Sequence, residues 1–261
     1  MRHLRNSSNY LTIAELRFSP VAHWLEKIHA IQAAFRVANY VDASAIQSQS
    51  LQVEHMDAHK MLVPNVRSAY VFVNKKRTSH FILNSECLTF KTSDYQDIES
   101  FLSFFLEGVF IVNKGLGLST SHRLGMRVLE RIVPHKGRPL QNYLASSELH
   151  LLQKLGGHTA VAQTEVLHQK KDIQLLNRVK VCAHSGLELP RDIDPADMAF
   201  RAHLITYSGP SVFIDSDGYI EKKQRFSFAG IKKNLLEIQA LIDQAFEASV
   251  GPEIFKDMVM Y

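Results

Sequence analysis

The sequence predicts an α+β fold, with antiparallel or mixed β-sheet covered by long amphipathic helices. Three observations predict it. Apolar residues recur at helical spacing in segments 21–35, 98–109 and 231–246. Short alternating runs joined by turn sequences lie between them. Each long helix is also entered from a strand: 11–18 leads to 20–38, 87–92 to 95–113, and 212–220 to 228–248. A doubly wound nucleotide fold needs shorter, regular βαβ units, so the strands read as hairpin-linked. The expectation is one compact domain, 1–261, whose grammar hints at two related layers, about 1–115 and 116–261.

Residues 11–18 (LTIAELRF) alternate as a strand. Ser19-Pro20 is a helix start, with serine as cap and proline at the first helical position. Val21, Trp24, Leu25, Ile28, Ile31 and Phe35 then define one buried face. The polar run 42–50 (DASAIQSQS) is expected to be loop, and 51–56 a short strand. Residues 68–74 and 79–84 flank the basic tip Lys75-Lys76-Arg77 as a hairpin, and Asn84-Ser85 turns the chain into strand 87–92. In the next helix Asp94 is the expected cap. Asp97 and Glu99 sit in its first turn, where the dipole favours anions. Ile98, Phe101, Leu102, Phe105 and Val109 form its stripe, and Asn113 to Gly115 its stop.

Residues 140–155 are expected to hold one or two short helices, broken by Gly156-Gly157. Strands follow at 159–169, 178–184, 203–208 and 212–216, with a loop at 190–197. Ser227 caps the last helix, whose stripe runs through Ile231, Leu235, Ile238, Leu241, Ile242, Ala245 and Phe246.

Composition narrows the function classes. The chain of 261 residues is 46% hydrophobic and 21% charged, an ordinary folded balance. A net charge of +4 permits an anionic ligand without requiring one. A duplex-DNA binder shows a denser basic stripe than Lys75-Lys76-Arg77, so duplex DNA is not an expected partner. Cys87 and Cys182 lie in apolar strands and read as buried thiols of a reducing compartment. No apolar window is long enough to span a membrane, and the N-terminus lacks a signal-like apolar region. The expected location is cytoplasmic.

Catalytic and cofactor motifs are missing, and no cofactor or metal is expected. There is no phosphate loop of the GxxxxGK[ST] type, no GxSxG elbow and no HExxH pair. The tract Gly115–Ser119 lacks a third glycine and follows a helix instead of a strand. His55 and His59 would share a face only on a helix, and their segment reads as strand. Residues 215–219 (DSDGY) lack the later ligands of a calcium loop and read as an acidic hairpin turn. The acids of 192–197 (DIDPAD) suit a solvated loop.

The unusual segment is 122–133 (HRLGMRVLERIV). As one strand it points Arg123, Arg127 and Arg131 to one side, with Gly125 and Leu129 between them. Leu124, Met126, Val128 and Ile132 point to the other side, where Glu130 is the exception. Arg123 and Arg127 would stand about 13 Å apart along the strand. Gly125 leaves room for a backbone or ligand to approach, and arginine suits a bidentate carboxylate or phosphate contact. Two readings stay open: a polar sheet face with internal Arg–acid pairs, or an anion or partner site. Arg17, at the end of the first strand, is a further candidate.

Three segments together resemble a known family: 13–20 (IAELRFSP), 87–102 (CLTFKTSDYQDIESFL) and 122–132 (HRLGMRVLERI). The family is a sporadically distributed group of bacterial proteins of about this length, and the resemblance covers nearly the whole chain. Arg17-Phe18 matches its Arg-Phe pair, and Arg123, Gly125 and Arg127 match its Arg-x-Gly-x-Arg strand. Thr92 and Tyr95 match its step into the second helix with Ser93-Asp94 inserted, and Val128 replaces its usual tyrosine. The resemblance implies no particular reaction. The family's patchy distribution implies mobile or defence-related gene neighbourhoods.

Two functions from different classes follow. One is a non-enzymatic interaction or regulatory protein with a protein partner or a second copy of itself. The other is an enzyme or sensor that binds a phosphorylated small molecule or nucleic acid through Arg17, Arg123, Arg127 and Arg131.

Overall fold

The computed structural model describes residues 8–56, 59–135, 138–145, 160–195 and 197–254, the side chains of 48–67, 184 and 185 excepted. Strands β1 (Asn9–Phe18), β2 (Asp42–Met56), β3 (His59–Val73), β4 (Ser79–Leu83) and β5 (Cys87–Thr92) come from the first half. Strands β6 (Thr120–Ile132), β7 (Val161–Lys170), β8 (Ile173–Ser185) and β9 (Gly209–Arg225) come from the second. Among the described residues the α-helices are α1 (Ile28–Val37), α2 (Ile98–Leu116), the short α3 (Ala202–Thr206) and α4 (Phe228–Ser249).

The nine strands of the described residues join one antiparallel sheet in the order β2-β3-β4-β5-β1-β6-β9-β8-β7. The α+β class with an antiparallel sheet therefore stands. The first strand of each half, β1 and β6, pair at the centre, with Arg17 opposite Arg123 and Ala14 opposite Met126. Each central strand is flanked by the strand that leads into its half's long helix, β5 before α2 and β9 before α4. Both helices are capped by side chains. Asp97 Oδ1 accepts from the Ser100 amide at 2.7 Å, and Ser227 Oγ from the Gly230 amide at 3.2 Å.

Alternation divides the sheet into two faces. On one, Ala14 and Leu16 of β1 join Leu124 and Met126 of β6 and Phe90 of β5. Phe35 of α1, Phe101, Phe105 and Val109 of α2, and Leu235 and Ile238 of α4 belong to the same core. Two glycines mark the closest approaches. A Cβ on Gly108 of α2 would lie 2.2 Å from the Phe81 ring, and one on Gly218 of β9 would lie 2.6 Å from Ile238. The face opposite these helices carries the arginines.

Several elements differ from the sequence reading. Residues 42–50 are strand, the start of a fifteen-residue β2 paired along its length with β3. Its polar side chains gave no apolar alternation, yet backbone pairing does not require one. Ser19 caps nothing, because the chain first makes a 3-10 turn at Trp24–Lys27. Its hydroxyl instead bonds Thr120 and His122, at 2.5 and 2.9 Å. Asp97, not Asp94, caps α2, and the stop falls at Gly117 with φ 66°. Residues 202–206 are helix instead of strand. Residues 215–219 are no hairpin turn but the middle of β9. Residues 146–155 and Gly156-Gly157 lie outside the described residues, as do Asp57 and the side chains of His55 and His59. Cys87 and Cys182 are buried free thiols. No helix among the described residues is long and apolar enough to cross a membrane.

Candidate functional site

The arginine face of the sheet holds an open groove of about 760 Å³. Its floor crosses six strands, from Ile82 of β4 to Leu176 of β8. Glu15 and Arg17 come from β1, Lys91 from β5, Arg123, Gly125 and Arg127 from β6, and Asp217 and Tyr219 from β9. One wall is Asp192 to Asp194, in the connection between β8 and β9. Strand pairing explains the convergence, because residues opposite each other in register share a face. Ile13 faces Arg127, Glu15 faces Gly125, and Arg17 faces Arg123. On the next strand Arg123 faces Glu221, Gly125 faces Tyr219, and Arg127 faces Asp217.

The guanidiniums are engaged within the chain. Arg123 Nη1 donates to Glu15 Oε1 at 2.7 Å, and Arg17 Nε donates to the same oxygen at 2.8 Å. The Arg123 guanidinium also lies 4.3 Å from the centre of the Tyr219 ring. Arg127 grips Asp215 with two hydrogen bonds, Nε to Oδ1 at 2.6 Å and Nη2 to Oδ2 at 2.7 Å. Its Nη1 donates to Asp192 Oδ2 at 2.5 Å. Burial pulls against the Arg127 charge, but the bonds to Asp215 and Asp192 prevail and hold its pKa above the ordinary value. Asp192 is held below the usual carboxylate range, because its bond to Arg127 outweighs partial burial.

Arg131 lies on the same face but not in the groove. It is 1% exposed. Its guanidinium donates to the main-chain oxygens of Leu204 and Tyr207 and to Ser211 Oγ. There it braces the entry to β9.

The connection between β8 and β9, described over 186–195 and 197–208, is a strap that crosses this face and returns. The Tyr10 hydroxyl donates to the Glu188 carbonyl at 2.9 Å. Asp192 meets Arg127, and the Asp194 carbonyl accepts from Lys91 Nζ at 2.7 Å. Asp197 meets Arg77 at the β3–β4 turn, at 3.2 Å. The strap then bonds Ser93 through the Ala199 carbonyl and comes back to Arg131 at Leu204. Met198 and Leu204 pack with Tyr10, Leu11, Leu129 and Phe213 in a small core of their own.

The remaining groups set the groove's chemistry. Among the described residues Asp217 has no hydrogen-bond or ion-pair partner. Burial raises its pKa, while Arg123 and Arg127 work against that rise. Lys91 is 5% exposed, and burial lowers its pKa against the pull of Asp194. His80 of β4 pairs across the strand with Lys91 and is 0% exposed. Neither ring nitrogen has a well-formed hydrogen bond, although the Arg77 main chain lies close enough to favour the charged ring a little. Burial, then Lys91, pushes the His80 pKa down to about 4. Burial pushes the Cys87 thiol up to about 12, which makes it a poor nucleophile. Among the described residues no three His, Cys, Asp or Glu side chains are grouped to hold a metal ion.

Arg17, Arg123 and Arg127 are thus brought together, and Arg131 is set apart. Sequence reasoning passed over Asp192, Asp215, Glu15 and Lys91. Their signal was parity. In a strand that runs through 212–220, Asp215, Asp217 and Tyr219 share a face, and reading 215–219 as a turn concealed it. No protein-family model matches this chain, and no curated protein matches it.

Proposed function

We propose that this chain is a non-enzymatic interaction or regulatory protein of a bacterial cytoplasmic system. Its resemblance to a patchily distributed family makes a defence-associated role the expected setting. In this reading the long amphipathic helices cover one face of the sheet, and the grooved face receives a protein partner. One observation carries it: the groove's cations are already bonded inside the chain. Arg17 and Arg123 share Glu15, Arg127 holds Asp215 and Asp192, and Lys91 holds a carbonyl. A charge pattern fixed in this way gives complementarity and register to a docking partner. Arg17 and Arg123 each spend one N–H on Glu15, and Arg127 is held on both sides by Asp215 and Asp192.

A photo-crosslinking residue at Thr89, on the groove, tests the reading in cells. It is expected to trap one discrete protein adduct, identified by mass spectrometry. The same residue at exposed Glu237 of α4 is expected to trap none. Equal labelling from both positions would sink the reading.

The second reading is an anion-binding enzyme or sensor. It is favoured by Arg17, Lys91, Arg123 and Arg127 lining one groove. It expects nucleotides, phosphorylated metabolites or short oligonucleotides to raise the melting temperature. The rise would vanish in a folded Arg123→Ala/Arg127→Ala variant.

A further inference from the structure

We propose that the strap's turn Arg191–Asp194 is an internal stand-in for an acidic segment of a protein partner, which displaces it and bonds Arg127 and Lys91. This rests on the docking reading above and names the partner's chemistry.

The Arg127 guanidinium is divided. Nε and Nη2 point at Asp215, which is 8% exposed and held within the sheet. Nη1 reaches the strap at Asp192, whose side chain is 67% exposed. The buried acid therefore keeps Arg127 oriented whether or not Asp192 stays. A donor held in place from behind is preorganised for a second carboxylate, so little ordering is needed when one arrives.

The turn is more exposed than the segments that flank it. Arg191, Asp192 and Asp194 are exposed, and Ile193 is only partly buried. On either side, Leu189 and Met198 belong to the small core. Ile193 also packs against that core, so lifting the turn from Arg127 and Lys91 gives up this one partly buried contact while Leu189 and Met198 hold the ends.

The groups it touches show what could replace it. The strap offers Arg127 one carboxylate and Lys91 one main-chain carbonyl, two residues further on. An extended acidic peptide has that pattern. Asp217 on the groove floor opposes any dense anion, so the replacing segment must carry its charge at the Arg127 end and offer a neutral acceptor to Lys91, as the strap does.

The test uses a fluorescein-labelled peptide with the strap's own sequence, residues 188–195 (ELPRDIDP), and the full-length protein. Fluorescence anisotropy is read for the wild type and for Asp192→Ala, with folding checked by melting. Asp192→Ala, whose site is vacated, is expected to bind the peptide about ten-fold or more tighter than the wild type. A peptide with asparagine in place of its first aspartate is expected to lose that gain, and so is an Asp192→Ala/Lys91→Met protein. A folded Asp192→Ala protein that binds no better than the wild type overturns the proposal. So does a gain seen with oligothymidylate and not with the peptide, which would assign the face to nucleic acid. The crosslink from Thr89 keeps the two levels apart. A discrete adduct without peptide binding overturns the acidic partner and leaves the docking face standing.

Discussion

Arg127 and Asp215 form a two-bond fork between neighbouring strands, at 2.6 and 2.7 Å, with both residues less than a tenth exposed. A buried pair of this kind adds little over an apolar pair, but breaking it strands a charge. Asp215→Ala is expected to cost about 3–5 kcal/mol in urea unfolding. Asp192→Asn, at an exposed acid on the same guanidinium, is expected to cost about 1 kcal/mol or less. The double variant Arg127→Met/Asp215→Leu should lose far less than the sum of its single changes. An additive result would show that the fork is not coupled.

Glu130 lies on the opposite face of β6, where its carboxylate accepts from Ser8 Oγ at 2.9 Å. Burial pushes its pKa up to about 8, against an ordinary value of 4.5. Between those values the folded chain holds a proton that the unfolded chain releases. Stability from this group is therefore present at low pH and lost as pH rises through about 8. Glu130→Gln should raise the melting temperature by several degrees at about pH 9 and change it little at about pH 5. An equal effect at both would remove the titration from Glu130.

His80 works in the other direction. Its folded pKa of about 4 lies below the ordinary 6.5, because burial and then Lys91 oppose the charged ring. In that window the unfolded chain takes up a proton that the folded chain refuses. Stability falls as pH drops from about 6.5 through about 4. His80→Leu should flatten that acid slope and raise the melting temperature near neutral pH, since it removes an unsatisfied buried group. An unchanged slope would place the acid sensitivity elsewhere.

Gly108 of α2 and Gly117, which caps it, should fail for different reasons. Gly108→Ala drives a methyl group against the Phe81 ring, and overpacking of this sort costs about 1–3 kcal/mol. Gly117→Ala meets no atom within 4 Å, yet φ is 66°, so the expected loss of about 1 kcal/mol is conformational. Phe81→Leu should partly rescue Gly108→Ala and leave Gly117→Ala unchanged.

Legibility followed burial. The stripe Ile231, Leu235, Ile238, Leu241 and Ile242 is buried as its spacing predicted, and Ser227 caps α4 as expected. The arginine parity was readable for the same reason: the alternate positions of β6 are apolar and packed. What the sequence hid was pairing across strands. Asp192 and Asp215 looked like solvated loop and turn acids, because their partner is 65 residues away for one and 88 for the other. β2 was hidden because a strand with polar side chains keeps its backbone ladder without the apolar alternation that identifies one.

The strand order also has a consequence for how the chain is made. β9, the last strand in sequence, lies between β6 and β8, which are both older. Until Arg225 has been synthesised, β6 and β8 each present an unpaired edge, and Arg127 has no Asp215 to hold. Local hairpins such as β2–β3 and β7–β8 can close early, but the middle of the sheet must wait. A nascent chain halted before β9 would therefore carry two open edges, the form most exposed to pairing with the wrong neighbour.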